Sequence, residues 1–211
     1  MKNYLTEVIG TFFLVLTIGL CVNQGLDMAP LAIGLALMVM VYAGGPISGA
    51  HYNPSVSLAA WIRGALPTKD LVPYWVAQFV GAVLAAFLIY KFTGSPLHVA
   101  PGAAATSLKA LSAEIVFSFA LSYVVLHVAM TKSTAGNSYY GLAIGTTVTA
   151  GAFAVGAISG GAFNPAVGLG PALVEVVLGR SATPMAWIYL VGPFVGAAAA
   201  AYTYKFQRPG E

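Results

Sequence analysis

Two Asn-Pro pairs are the most suggestive residues for chemistry in this chain: Asn53-Pro54, followed by Ser55, and Asn164-Pro165, followed by Ala166. Asn is among the best helix N-caps and Pro is favoured at the first helical position, so each pair predicts the start of a helix. If each Asn side-chain oxygen accepts hydrogen bonds from first-turn N–H groups, its amide NH2 stays free to donate elsewhere. A helix N-terminus also carries about +0.5 charge. Two such ends aimed at one point repel cations and suit a neutral solute with a lone pair. A single Asn-Pro reads more simply as the cap of a buried helix; a matched pair argues for a paired site.

Glu7 and Glu114 are the only acidic residues well inside long apolar stretches, and a carboxylate at membrane depth is a functional-site candidate by default. They could form a proton relay or a structural acceptor. His51 stands two residues before the first Asn, where it reads as a ligand, a pH sensor or a hydrogen-bonded support for the loop. His98 and His127 have no partner motif, and no chemistry is assigned to them. Cys21 is the only cysteine, which excludes an intrachain disulfide and argues against thiolate metal sites. The sequence shows no Ser/His/Asp set, metal-ligand spacing or phosphate loop, so neither catalysis nor a cofactor is expected.

The elements that position these residues follow from composition. With 59% hydrophobic and 7% charged residues and a mean hydropathy of +0.85, the chain is unlike a soluble domain, in which about a quarter of residues are charged. Six long apolar segments predict membrane spans at Tyr4–Val22, Pro30–Pro46, Val72–Phe92, Ala110–Met130, Tyr139–Ala157 and Met185–Phe206. The first contains Glu7 and is longer than a signal-peptide core, so it reads as a retained helix. Two further stretches, Asn53–Arg63 and Asn164–Leu178, are too short to cross and read as re-entrant half-helices, which lipid tolerates only inside protein or beside a wet cavity. Six spans place both termini on one side. Lys2, Arg63, Lys69, Lys132, Lys205 and Arg208 fall on that side, and Lys91, Lys109 and Arg180 on the other, so the positive-inside rule predicts cytoplasmic termini. The basic residues form no stripe, and the net charge of +3 implies no nucleic-acid partner.

An internal repeat ties the two Asn-Pro pairs together. At an offset of 111 residues, Ala32-Ile33-Gly34 meets Ala143-Ile144-Gly145, and Ile47–Ser55 meets Ile158–Ala166. Nearby offsets of 107 and 115 pair Glu7 with Glu114 and Gln78–Ala82 with Pro193–Ala197. Each half, residues 1–107 and 108–211, holds three spans and one half-helix within a single domain. Because three is odd, the second half enters the membrane from the opposite face, giving an inverted repeat. The fold class expected is an all-α membrane protein with six transmembrane helices and two re-entrant half-helices.

With these motifs in place the whole chain resembles the major intrinsic protein family of aquaporins and aquaglyceroporins. The family's paired Asn-Pro-Ala signature stands here as Asn53-Pro54-Ser55 and Asn164-Pro165-Ala166. Around it are Ser48–His51, Glu7–Phe12 and Gln78–Ala82. The resemblance implies a pore with one Asn pair at its midplane, carboxylates Glu7 and Glu114 that accept hydrogen bonds from the re-entrant loops, a supporting His51, and a homotetramer with one pore per subunit. It also exposes a departure. Where water- and glycerol-selective members carry Arg directly after the second motif, this chain has Val167. Alignment by distance from the two Asn residues places Ile33, Ala152 and Gly161 at the other constriction positions, so the expected filter has no polar side chain. The expectation is a passive channel for water and small uncharged solutes such as glycerol, urea, ammonia or metalloid hydroxides, among them arsenite or methylated arsenic species. The alternative is a non-conducting structural or junction membrane protein. Compact loops and short termini suggest a prokaryotic inner membrane.

Overall fold

The structure is a computed structural model that describes all 211 residues. Eight α-helices follow in order: α1 (Lys2–Asn23), α2 (Ala29–Ser48), α3 (Pro54–Arg63), α4 (Thr68–Thr93), α5 (Ser107–Ala129), α6 (Tyr140–Ser159), α7 (Pro165–Val177) and α8 (Ile188–Gln207). There is no strand. Helices α1, α2, α4, α5 and α6 are long and apolar enough to cross a bilayer. Helix α8 has the length, 20 residues, but with Pro, Thr, Lys and Gln among its residues it is not in that group. Its place in the fold marks it as the sixth span, because it lies along α5 as α4 lies along α1. It starts at Ile188, not Met185, since Pro184–Trp187 form turns. Helices α3 and α7, of 10 and 13 residues, reach only about 15 and 20 Å of a roughly 30 Å hydrocarbon core.

The contacts repeat about a pseudo-twofold axis. The pair α1–α2 corresponds to α5–α6, α1–α4 to α5–α8, and α3–α8 to α7–α4, while α2 and α6 cross each other on the axis. Small residues make these crossings possible. A Cβ on Gly34 or Gly145 would strike the carbonyl oxygen of the other, and one on Gly81 or Gly196 would strike Val8 O or Ile115 O. Close backbone approach of this kind is how helices pack in lipid, where no hydrophobic force favours helix over lipid contact. The outer faces stay apolar and uncovered: Leu5, Phe13, Val72, Val76, Leu84, Leu142 and Phe206 are all exposed.

Hydrogen bonds group the connections at two ends. At the end holding the termini, Tyr4 Oη donates to Asp70 Oδ1 (2.7 Å), Arg63 to Met130 O (2.8 Å) and Lys132 N–H to Glu211 Oε2 (3.0 Å). The Glu211 carboxyl is held below the usual carboxylate range, chiefly by that backbone N–H. At the other end, Asn23 donates to Ser95 O (3.0 Å) and Gly102 N–H to Ile158 O (3.1 Å).

Candidate functional site

Each Asn-Pro pair opens a half-helix as a cap. The Asn53 Oδ1 accepts from Ser55 N–H at 2.9 Å, and Asn164 Oδ1 accepts from Ala166 N–H at 2.9 Å and Val167 N–H at 3.4 Å. Ser55, where the second half has Ala166, adds an O–H bond to Asn53 Oδ1 at 2.8 Å. Both Asn residues are 3% exposed.

Their amide groups are not wholly free, which corrects the expectation from sequence. Asn53 Nδ2 donates to Phe163 O at 2.8 Å, and Asn164 Nδ2 donates to Tyr52 O at 2.9 Å. Each half-helix start is thus locked to the carbonyl that precedes the other Asn. An amide carries two N–H donors, so one per Asn is left for a solute. The accepting carbonyls are turned inward because Tyr52 (φ 50°) and Phe163 (φ 49°) sit in the left-handed region, which costs a non-glycine residue about 1–3 kcal/mol.

The two buried carboxylates hold that unusual backbone. Glu7 Oε1 accepts from Ser48 Oγ (2.7 Å) and His51 N–H (3.0 Å), and its Oε2 from Tyr52 N–H (2.6 Å) and Gln78 Nε2 (2.8 Å). Glu114 Oε1 accepts from Ser159 Oγ (2.7 Å) and Ala162 N–H (3.1 Å), and its Oε2 from Phe163 N–H (2.7 Å). Glu114 lacks a fourth donor because Pro193 stands where the first half has Gln78. Both carboxylates are fully buried. Charge-assisted bonds to backbone N–H groups of a re-entrant loop are what such a group can do without a counter-ion.

Other supports were missed in the sequence. Tyr74 Oη donates to Ser48 O at 2.7 Å and Tyr189 Oη to Ser159 O at 2.6 Å, a matched pair that anchors the helix ends just before each loop. The offset of 115 that aligned Gln78 with Pro193 pairs these tyrosines too and was the one clue available. Ser57 Oγ is bonded by His51 Nδ1 at 3.1 Å and Gln78 Nε2 at 2.9 Å. His127 is engaged locally, with Nδ1 2.8 Å from Tyr123 O. His98 does have a partner, contrary to the expectation: its Nδ1 lies 2.7 Å from Glu175 Oε1.

These elements surround one conduit of about 630 Å³. Its lining begins at the Leu26–Asp27 turn and His98, passes Ile33, Ala152, Gly161 and Val167, reaches Asn53 and Asn164, and continues to Leu37, Val125 and Ile144. No Lys or Arg lines it, and 21 of its 30 lining residues are hydrophobic, so polar partners along it are few. Gly156, one turn along α6 from Ala152, also lines it, and a Cβ there would touch nothing within 4 Å.

Comparison with known proteins agrees with this geometry. The sequence profile described as "Major intrinsic protein" matches residues 1–204. The chain is 38% identical to Aquaporin NIP1-1 of Zea mays, over 99% of this chain and 75% of that protein. It is 33% identical to the probable aquaporin AqpM of Archaeoglobus fulgidus, over 97% of this chain and 96% of that one. The X-ray structure of the aquaglyceroporin from Plasmodium falciparum superposes with a TM-score of 0.84 at 21% identity, covering 96% of this chain and 94% of that one, which is a likeness of fold.

Proposed function

The chain belongs to the major intrinsic protein family, integral membrane channels for water and small solutes and not enzymes, and from that premise we propose that it passes neutral solutes larger than water. The observation that carries this reading is the outer constriction. Ile33, Ala152, Gly161 and Val167 line the conduit together, without a polar side-chain atom among them, and the neighbouring Gly156 leaves open space. An Arg after the second Asn-Pro motif would bring five N–H donors, a fixed charge and considerable bulk to this point. With Val167 the mouth is wider and less hydrating, and a solute finds its polar partners in backbone carbonyls and in the remaining Asn53 and Asn164 donors. Glycerol, urea, ammonia and metalloid hydroxides such as arsenite or methylated arsenic species fit those terms.

Cations are opposed by the two half-helix N-termini, whose positive ends meet at the Asn pair. The six-to-three division of basic residues supports cytoplasmic termini, and a prokaryotic plasma membrane suits the compact loops. The conduit is lined by both halves of this one chain, so a homotetramer would carry one pore per chain. The test is passive uptake by proteoliposomes of ammonia, urea, glycerol and arsenous acid, with no energy source. Uptake of all four faster than in empty liposomes is expected; acceleration of water alone would overturn the reading.

A further inference from the structure

The segment between α4 and α5 dips into the outer mouth. Leu97 and Val99 are buried in the same apolar cluster as Ile33 and Val167, and the Gly102 N–H bond to Ile158 O ties the segment to the end of α6. The residue between them faces away from that cluster. That residue is His98, whose side chain is 53% exposed and lines the conduit.

Glu175, on α7, is 3% exposed, and its carboxylate has His98 Nδ1 as its only hydrogen-bond partner. A buried carboxylate is stabilised as an anion only by the groups that touch it. While Glu175 is ionised, the shared proton sits on His98 Nδ1, and Nε2, which has no partner in the protein, is left to the conduit. A neutral imidazole presents an acceptor there; a protonated one presents an N–H donor and a full positive charge. The filter side chains offer neither, no Lys or Arg lines the conduit, and Asp27 on the α1–α2 turn is the one other ionisable group lining this mouth.

We propose that His98, oriented by Glu175, is the specificity-determining polar group of the outer mouth, supplying from the α4–α5 segment the hydrogen-bonding function that the four filter side chains lack. The proposal rests on the neutral-solute reading above. The imidazole edge beside the path can exchange hydrogen bonds with a hydroxylated solute as it sheds bulk water, which the aliphatic filter side chains cannot do. Glu175 fixes which edge of the ring faces the path.

The experiment is stopped-flow glycerol and water permeability in proteoliposomes for the parent, His98→Ala, His98→Gln and Glu175→Ala. His98→Ala should lower the glycerol-to-water ratio about threefold, the size of one exposed hydrogen bond. His98→Gln, which keeps a polar edge at the mouth, should retain most of the parent ratio, a rescue that a merely structural role would not give. Glu175→Ala, which leaves the ring unoriented, should lower the ratio in the same direction as His98→Ala. An unchanged ratio in His98→Ala, or the same loss in His98→Gln as in His98→Ala, would overturn the proposal. A parent that passes water but no glycerol would instead overturn the reading on which it rests.

Discussion

Replacing Glu114 by Gln tests whether the buried carboxylates hold the loops or carry protons. The substitution is nearly isosteric, so its cost comes from hydrogen bonds alone. Whichever way the new amide turns, its NH2 faces a backbone donor, either Phe163 N–H or Ala162 N–H, both now bonded to Glu114 at 2.7 and 3.1 Å. That donor is orphaned in a site with no water access, at about 1–3 kcal/mol. The remaining two bonds lose charge assistance, roughly 1 kcal/mol each, partly offset by the smaller desolvation of an amide. The net expectation is a loss of about 2–4 kcal/mol, with an unfolding midpoint in detergent lowered by on the order of ten degrees. Glu7→Gln should cost a similar amount, because Gln78 can turn its amide and offer its Oε1, which has no partner. Thermal unfolding followed by circular dichroism measures the loss, and flux across a pH range measures the alternative. A Glu114→Gln protein that melts with the parent would refute the structural role. So would a well-folded variant that has lost a proton-coupled uptake shown by the parent.

Three further outcomes follow from the same geometry. Val167→Arg should lower glycerol and metalloid permeability several-fold and water permeability less, with proton leakage little changed, since that barrier is ascribed to the half-helix ends; equal glycerol flux in the inserted variant would show that this mouth is not limiting. Gly81→Leu and Gly196→Leu should lose folded yield in size-exclusion chromatography, because the added Cβ meets backbone at Val8 and Ile115, whereas Gly156→Ala, facing open space, should fold as the parent does. Ser55→Ala should cost no more than about 1.5 kcal/mol in the same melt, the value of one neutral bond, because Asn53 Oδ1 keeps the backbone N–H of residue 55.

The legible parts of this fold are those the internal repeat duplicates. Apolar length located the six spans, Met185–Phe206 among them, and the matched Asn-Pro segments located α3 and α7 and related the two halves. Glu7 and Glu114 stood out because a carboxylate in an apolar run has no bland explanation. Tyr74 and Tyr189 did not, since a tyrosine near a span end reads equally well as an interfacial aromatic. The locking of each Asn amide to the opposite loop depends on two left-handed backbone positions at Tyr52 and Phe163, for which neither residue type gives a cue. His98 and Glu175 are 77 residues apart on an irregular segment and a half-helix, and no periodicity relates them.

Neutral solutes are expected to cross passively through a mouth whose four filter side chains, Ile33, Ala152, Gly161 and Val167, carry no charge. One hyperosmotic glycerol shift on proteoliposomes, followed by light scattering, addresses this directly. Water efflux should shrink the vesicles, and reswelling should then be much faster than in protein-free vesicles and independent of any proton gradient. Rapid shrinkage with reswelling no faster than in protein-free vesicles would contradict the claim.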